Sequence, residues 1–213
     1  MDTLRWNKKS ESSRPYCSVI NHVVVYHDDL ELELTTFVGE DDSTPVSVFV
    51  FDSTLAPTHH SSAQDRRALF PLAKNTLRKL RTLRHPNILR LIDGVETDTA
   101  VWIITEAVTS LALALQERHE GTAMSEESKV YGLLHLATAL SFLNRDGISI
   151  HGNVRLEAVW VTQGGDWKLG GMEICTKKEE DAGLLWMQGG LLPDSRSYTS
   201  PEVRKSGFAA LKE

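Results

Sequence analysis

Residues 69–88, with the sequence LFPLAKNTLRKLRTLRHPNI, decide the fold expected for this chain of 213 residues. Leucine and alanine recur in this stretch at spacings of three and four, which places one apolar stripe along a helix from about Gln64 to Arg84. The tripeptide His85-Pro86-Asn87 then ends the helix, because proline disfavours a helical conformation in the residue before it. The stripe consists of Leu69, Ala73, Leu77, Leu80 and Leu83.

Strand patterns lie on both sides of this helix. Before it come residues 23–26 (VVVY), 30–34 (LELEL) and 46–52 (VSVFVFD), which are rich in β-branched residues or alternate with a period of two. After it come residues 88–92 (ILRLI) and 101–104 (VWII). The first half of the chain therefore predicts five antiparallel strands with one helix inserted before the fourth.

The second half of the chain is predicted to be mostly helical. A short helix is expected at residues 111–117, and Ser125 has the side chain to cap the start of a longer one. The apolar positions of that longer helix are Val130, Leu133, Leu134, Ala137, Leu140 and Leu143. Short strands are expected at residues 158–161 and 167–169, and residues 201–211 are compatible with the start of a helix.

The composition is that of an ordinary globular chain, with 41% hydrophobic and 24% charged residues. The formal net charge of −6 disfavours non-specific nucleic-acid binding through bulk charge, although it leaves a local basic surface open. Two cysteines, Cys17 and Cys175, cannot build a disulfide scaffold, so a reduced intracellular chain is expected. The sequence contains no apolar run of the roughly 18–20 residues needed to span a bilayer.

The order of these elements, and the motifs between them, resemble the protein-kinase fold. Residues 85–88 are similar to the HPNI turn, and Thr105, Glu106 and Ala107 stand where kinases carry the gatekeeper and hinge. Further along, residues 151–158 (HGNVRLEA) are the counterpart of the HRDLKPEN loop. Residues 168–173 (KLGGME) are the counterpart of K-L-A-D-F-G, and residues 198–202 (YTSPE) are the counterpart of the stretch ending in A-P-E. The resemblance implies an α+β fold of two lobes, with a five-stranded small lobe and a mostly helical large lobe.

Several strings are more narrowly similar to the N-terminal kinase-like (Scyl) pseudokinase family, which includes a fungal cytoplasmic tRNA-export protein. These strings are residues 45–52 (PVSVFVFD), 80–89 (LRTLRHPNIL), 105–108 (TEAV), 139–143 (ALSFL) and 167–171 (WKLGG).

The resemblance divides the chain into a loose N-terminal arm over residues 1–18, a small lobe over 19–106 and a partial large lobe over 107–213. Only eleven residues follow Glu202, fewer than the remainder of a kinase large lobe needs. We therefore expect a C-terminally truncated chain of marginal stability, with an exposed apolar patch on the helix at residues 125–144.

Phosphoryl transfer requires groups that hold phosphates and magnesium and that orient the acceptor hydroxyl. The resemblance implies that these groups have been replaced. Gly39 is the only glycine among the first 93 residues, so the glycine-rich loop is missing. Six positions of the kinase pattern hold other residues here. Phe49 stands in place of the strand lysine, Thr76 in place of its glutamate partner and Asn153 in place of the catalytic aspartate. Arg155 stands in place of the loop lysine, Ala158 in place of the asparagine ligand of magnesium and Gly171 in place of the first residue of D-F-G.

These replacements predict a catalytically inactive domain that acts as a scaffold, with no bound cofactor and no metal. An amide at position 153 cannot accept a proton at neutral pH. Weak ATP binding at Thr105, Glu106 and Ala107 is left open, because hinge backbone groups survive the loss of side chains. The resemblance implies cytoplasmic work in tRNA export or Golgi–ER traffic, with partners from the corresponding machinery.

Two alternatives are kept. In the first, the chain is an atypical kinase in which Glu173 and Arg155 substitute for the lost ligands. In the second, it binds tRNA or an acidic protein through the basic side of the first helix, where no acid falls between residues 66 and 84 and seven cations lack obvious internal partners. Those seven are Arg66, Arg67, Lys74, Arg78, Lys79, Arg81 and Arg84. A metal site at His27, His59 and His60 is disfavoured, because no cysteine or second spaced histidine pair accompanies them.

Overall fold

The computed structural model describes residues 18–26, 31–38, 45–53, 63–117, 124–179, 185, 198 and 200–206. The loose arm predicted for residues 1–18 lies outside these ranges, apart from Ser18. His27, His59 and His60 also lie outside them.

The first half of the chain forms one antiparallel sheet. Its strands are β1 (Ser18–Tyr26), β2 (Glu31–Val38), β3 (Pro45–Asp52), β4 (Leu91–Glu96) and β5 (Ala100–Glu106), in the order β1-β2-β3-β5-β4. Strand β3 is central, and Phe49 pairs with Leu34 on one side and Ile103 on the other. The five-stranded sheet predicted from the sequence is therefore present.

The fourth strand was predicted three residues too early. Strand β4 begins at Leu91 and not at Ile88, because the preceding residues pair elsewhere. The Leu89 N–H donates to the Leu169 carbonyl at 3.0 Å, and the Leu169 N–H donates to the Asn87 carbonyl at 2.8 Å. The apolar run at residues 88–92 thus serves two different sheets.

The first helix, α1 (Ala63–Thr82), packs on this sheet as its leucine spacing predicts. Leu69, Leu72, Ala73, Leu77 and Leu80 are all buried in one core with Phe51 and Val101. A Cβ atom at Gly94 of β4 would overlap the Leu77 side chain, so glycine at that position lets the helix approach the sheet closely.

The second half contains three helices and two small sheets in its described part. The elements in chain order are β6 (Val108–Ser110), α2 (Leu111–Glu117), α3 (Glu126–Arg145), β7 (Ser149–Ile150), a 3₁₀ turn (Leu156–Ala158), β8 (Val159–Thr162), β9 (Trp167–Leu169), β10 (Thr176–Lys177) and α4 (Pro201–Ser206). Strands β6, β8 and β9 form one sheet, while β7 and β10 form another. Ser125 caps α3 as predicted, since its Oγ accepts the Ser128 N–H at 3.1 Å.

The buried face of α3 lies beside the apolar stripe read from the sequence. The helix buries Gly132, His135, Leu136, Ala139 and Leu143, so Leu143 is the only fully buried member of the predicted stripe. Val130, Leu133 and Leu134 are 58% to 65% exposed and form the expected apolar patch.

Trp167 of β9 selects the buried face of α3. A Cβ atom at Gly132 would overlap the Trp167 ring. The backbone N–H of Trp167 donates to His135 Nδ1 at 3.2 Å. The ring therefore occupies the slot that Gly132 leaves open, and the rotation of the helix follows from that fit. Among the described helices, none combines the length and apolarity required to cross a membrane.

Substituting Gly132→Ala tests this fit. Alanine favours a helix over glycine by roughly 1 kcal/mol, but overpacking against a ring costs about 1–3 kcal/mol. We expect the second effect to prevail and the free energy of unfolding to fall by about 1–2 kcal/mol in urea denaturation. The control is Gly164→Ala, where the added carbon would meet no atom closer than 3.7 Å. Equal stabilities of the two variants would contradict the account.

Candidate functional site

Hydrogen bonds and charges join the sheet to the second half around one cleft. Besides the backbone bonds between residues 87–89 and Leu169, the carboxylate of Glu106 lies at the junction. It accepts the Arg90 N–H at 2.9 Å and lies 3.8 Å from Arg90 Nε and 4.0 Å from Lys168 Nζ. Lys168 Nζ also donates to the Pro86 carbonyl. These contacts hold the two halves together on either side of the hinge at Glu106.

A cavity of about 50 Å³ lies inside this cleft, enough for a few water molecules at roughly 10–15 Å³ each. The six positions predicted to be degenerate all line it: Phe49, Thr76, Asn153, Arg155, Ala158 and Gly171. Elements far apart in sequence therefore converge on the cavity, namely β3, α1, the 3₁₀ turn with the loop before it, and the segment after β9. Thr105, Glu106 and Ala107 do not line the cavity, whose walls include the further side chains Glu157, Trp160 and Glu173.

Aromatic rings fill the part of the cleft between β3 and β8. Phe49 is 4% exposed, and its ring meets Trp160 edge to face with centroids 4.9 Å apart. A Cβ atom at Gly170 would lie 2.6 Å from Trp160 Nε1, so the glycine makes room for the indole. The sequence carries no signal for this role of Trp160, which only the pairing of β8 with β9 makes visible.

The hinge backbone groups already have partners within the chain. The Ser47 hydroxyl accepts the Val108 N–H at 3.0 Å and donates to the Val108 carbonyl at 3.2 Å. The Thr105 hydroxyl donates to the Glu106 carbonyl at 3.0 Å. A ligand that sought hydrogen bonds from these peptide groups would compete with bonds formed by the protein itself.

Asn153 and Glu173 form a buried pair at the polar end of the cavity. Asn153 Nδ2 donates to Glu173 Oε2 at 2.8 Å, and Glu173 is only 8% exposed. Burial raises the pKa of the Glu173 carboxyl, while its own backbone N–H, the Arg155 charge and the Asn153 amide oppose that rise. The residue at position 153 therefore acts as a hydrogen-bond donor, the reverse of what a general base does.

Charge in the cavity comes from Arg155, Glu157 and Glu173. Arg155 Nε lies 3.9 Å from Glu157 Oε2, and the guanidinium also interacts electrostatically with Glu173. Within the described ranges, no group of three histidine, cysteine, aspartate or glutamate side chains is placed to hold a metal ion. Thr76, on the helix side, donates its hydroxyl to the Leu72 carbonyl of its own helix at 3.3 Å.

Gly171 adopts a backbone conformation that suits glycine. Its φ is +67°, and a Cβ atom there would lie 2.5 Å from the Ala158 Cβ and 3.2 Å from Asn153 Nδ2. An aspartate at this position would be strained and would also collide with Ala158.

His151 connects the loop at Asn153 to Gly170 through hydrogen bonds from its ring. Its Nδ1 accepts the Asn153 N–H at 3.2 Å, so Nε2 carries the proton and donates to the Gly170 carbonyl at 2.7 Å. Burial lowers the pKa of His151 to about 4, although its bond to Gly170 opposes the shift. The ring is therefore neutral near pH 7 and has a structural role.

The basic side of α1 differs from the prediction, which held that its charges lack internal partners. Lys79 is only 7% exposed, and Lys74 Nζ lies 2.9 Å from Glu96 Oε1. The remaining described cations of α1 also have partners: Arg78 donates to Asn75 Oδ1 at 2.9 Å, Arg81 to the Gly94 carbonyl at 2.6 Å and Arg84 to the Leu91 carbonyl at 3.4 Å. The side chains of Arg66 and Arg67 lie outside the described part. The prediction was therefore wrong for Lys74, Arg78, Arg81 and Arg84, because β4 supplies an acid and two carbonyls and Asn75 supplies an amide oxygen.

The model of the protein tyrosine and serine/threonine kinase family matches residues 55–210. The chain belongs to that family. The predicted kinase-like α+β fold is thereby confirmed.

Curated relatives point to one branch of the kinases. The chain is 31% identical over 82% of its length to a probable inactive serine/threonine-protein kinase, scy1, of Dictyostelium discoideum, of which it covers 19%. It is 30% identical over 76% of its length to a protein kinase domain-containing protein, ppk3, of Schizosaccharomyces pombe, covering 22% of that protein. Human SCY1-like protein 2 is 29% identical over 65% of the chain and 16% of its own length. The predicted resemblance to the Scyl family is confirmed, and the chain spans about a fifth of the length of the first two relatives.

Alanine substitutions at two glycines separate backbone strain from collision in the cleft. Gly165 and Gly171 both have positive φ, but a Cβ atom at Gly165 would meet nothing within 4 Å. We expect Gly165→Ala to lower the free energy of unfolding by about 1–2 kcal/mol. Gly171→Ala should cost a further 1–3 kcal/mol or so from overpacking. Urea denaturation of both variants measures the difference, and equal losses would show that the cleft has room at Ala158.

The acid dependence of stability tests the burial of His151. Since its folded-state pKa lies below the ordinary value, the unfolded chain binds a proton first as the pH falls below about 6.5, and the folded state loses stability. Between about pH 7.5 and pH 5 this loss amounts to roughly 2 kcal/mol.

The variant His151→Gln should show a loss smaller by that amount, because the contributions of His85 and of the oppositely shifted Glu173 are common to both proteins. The free energy of unfolding at the two pH values is the measurement. An unchanged pH dependence would mean that folding does not lower the pKa of His151.

Proposed function

We propose that this chain is a catalytically inactive kinase-like domain that works as a scaffold or adaptor. The observation that carries the proposal is the convergence of Phe49, Thr76, Asn153, Ala158 and Gly171 on one small cavity. None of these side chains carries a charge, so none supplies the cation that pairs with a phosphate or the carboxylate that holds magnesium in an active kinase. The division into an arm over residues 1–18, a small lobe over 19–106 and a large-lobe portion over 107–213 belongs to the same proposal.

The arrangement also argues against residual turnover. Removing a single preorganised catalytic group typically costs about 10²–10³ in rate. Here the position of the general base holds an amide that donates to Glu173, and the position of the metal ligand holds a glycine. Phe49 and Trp160 occupy space beside these positions, so a triphosphate would have to displace packed rings.

The relatives support contact with other proteins as the mode of action. One of them is named a probable inactive kinase. A mouse protein named as associating with the carboxyl-terminal domain of ezrin is 37% identical over 45% of the chain and 12% of its own length. Following the Scyl resemblance, we place the work of this chain in the cytoplasm, in tRNA nuclear export or Golgi–ER vesicle traffic, with protein partners from that machinery.

An atypical kinase is the second candidate, and one observation favours it. Glu173 reaches the cavity and interacts with Arg155, so a carboxylate and a guanidinium lie where a metal–nucleotide would need them. Against this candidate, burial raises the pKa of Glu173, and its carboxylate already accepts a hydrogen bond from Asn153. A carboxyl group whose charged form is disfavoured by burial and already bonded within the chain is a weaker magnesium ligand than a free carboxylate.

Thermal melts with and without magnesium and ATP separate the two candidates. We expect no measurable rise in Tm for the wild-type chain, because a ligand stabilises a protein only in proportion to its binding. The variant Glu173→Gln should behave in the same way. A rise of several degrees in the wild type that disappears in Glu173→Gln would establish the atypical kinase instead. Transfer of radioactive phosphate to a generic protein substrate, measured in parallel, should remain at background.

A further inference from the structure

The helix α1 is tied to the segment after β9 by one buried side chain. Asn75 is 3% exposed, and its Nδ2 lies 3.1 Å from the Met172 carbonyl, 2.9 Å from the Glu173 carbonyl and 3.1 Å from the Cys175 carbonyl. Its Oδ1 accepts from Arg78 at 2.9 Å. One amide group therefore supplies donors to three carbonyls that lie about a hundred residues further along the chain.

The amide contributes hydrogen bonds to a buried turn. Residues 172–175 form a tight turn, closed by the Cys175 N–H on the Met172 carbonyl at 3.2 Å. The side chains of Met172, Ile174 and Cys175 are buried, so water has little access to the turn. A buried carbonyl without a donor carries a desolvation penalty, and the two hydrogens of Asn75 Nδ2 lower that penalty for the carbonyls that they reach.

The same turn sets the geometry of the cleft. It carries Glu173, whose carboxylate meets Asn153, and it begins directly after Gly171. A continuous path of contacts thus runs from α1 through Asn75 to residues 172–175 and on to the loop at Asn153. The neighbouring Thr76 makes no such link, because its hydroxyl bonds within its own helix.

We propose that Asn75 is a positioning residue that locks α1 to the turn at residues 172–175 and so fixes the cleft in one closed arrangement without nucleotide or metal. Phe49 and Thr76 stand where the kinase resemblance puts an ion pair between β3 and α1, and neither is charged. The amide of Asn75 performs that joining task with neutral groups. This inference is independent of the proposed function, because the contacts are the same whether or not the cleft accepts a ligand.

Hydrogen exchange measured by mass spectrometry on the 213-residue chain tests the lock. In Asn75→Asp the side chain keeps its size and its acceptor for Arg78 but loses its donors. We expect the amides of residues 174–178 to exchange faster by about tenfold or more, while those of β3 and β5 keep their rates. Arg78→Ala is the matched control, since it removes only the partner of Oδ1 and should leave residues 174–178 protected.

A uniform rise in exchange across the whole chain would show that Asn75 contributes only general stability, and unchanged exchange at residues 174–178 would show that the turn is held by other groups. Either result overturns the proposal.

A measurement on the wild type covers the case in which Asn75→Asp does not fold. With increasing urea, the amides of residues 73–79 and 174–178 should open with the same free energy and the same denaturant dependence, as parts of one unit. Independent opening of the two segments would contradict the lock.

Discussion

The edge-to-face contact between Phe49 and Trp160 constrains the rest of the cleft. A lysine at position 49 would bring a charge into a space walled by Ala73, Leu80, Leu89 and Ile103, and it would require a carboxylate partner on α1. The helix offers Thr76 instead. The residues at these four positions are mutually consistent: Phe49, Thr76, Ala158 and Gly171. Each of them replaces a charged or polar side chain that would have no partner at the other three positions.

Several polar groups in and beside the cleft are used internally. The Asn153 amide donates to Glu173, the Ser47 hydroxyl satisfies both peptide groups of Val108, and Asn75 serves the carbonyls of the turn after Gly171. In an active enzyme, groups in such positions are kept available for substrate and metal. In this chain the same positions stabilise the fold, which is the physical basis for the proposed role through contact with partners.

The sequence predicted well those features that depend on local patterns. The leucine spacing of α1 identified a helix and its buried face. The order of the motifs singled out six distant positions, and in the structure these positions line one cavity. It failed where the answer depends on residues far along the chain. The orientation of α3 follows from Trp167, which lies 32 residues beyond His135 in sequence. The sequence of α1 predicted that Lys79 and Arg81 are available to a partner. It does not reveal that Lys79 is buried or that Arg81 donates to a carbonyl of β4.

Other site residues carry no sequence signal of their own. Asn75 is one polar residue within an amphipathic helix, and Ser47 is one small residue within a strand. Their roles arise only when α1 meets the turn at residues 172–175 and when β3 meets Val108. Glu157 and Trp160 became recognisable only once the 3₁₀ turn and β8 were seen to border the cavity.

A fluorescence titration with a mant-labelled ATP in the presence of magnesium tests most directly whether the cleft is filled by the protein itself. Trp160 lies in the cleft, so a nucleotide bound there would receive excitation energy from the indole. The account predicts no saturable energy transfer at millimolar nucleotide. Saturable transfer that unlabelled ATP competes away, and that is lost in Trp160→Phe while the chain remains folded, would contradict it.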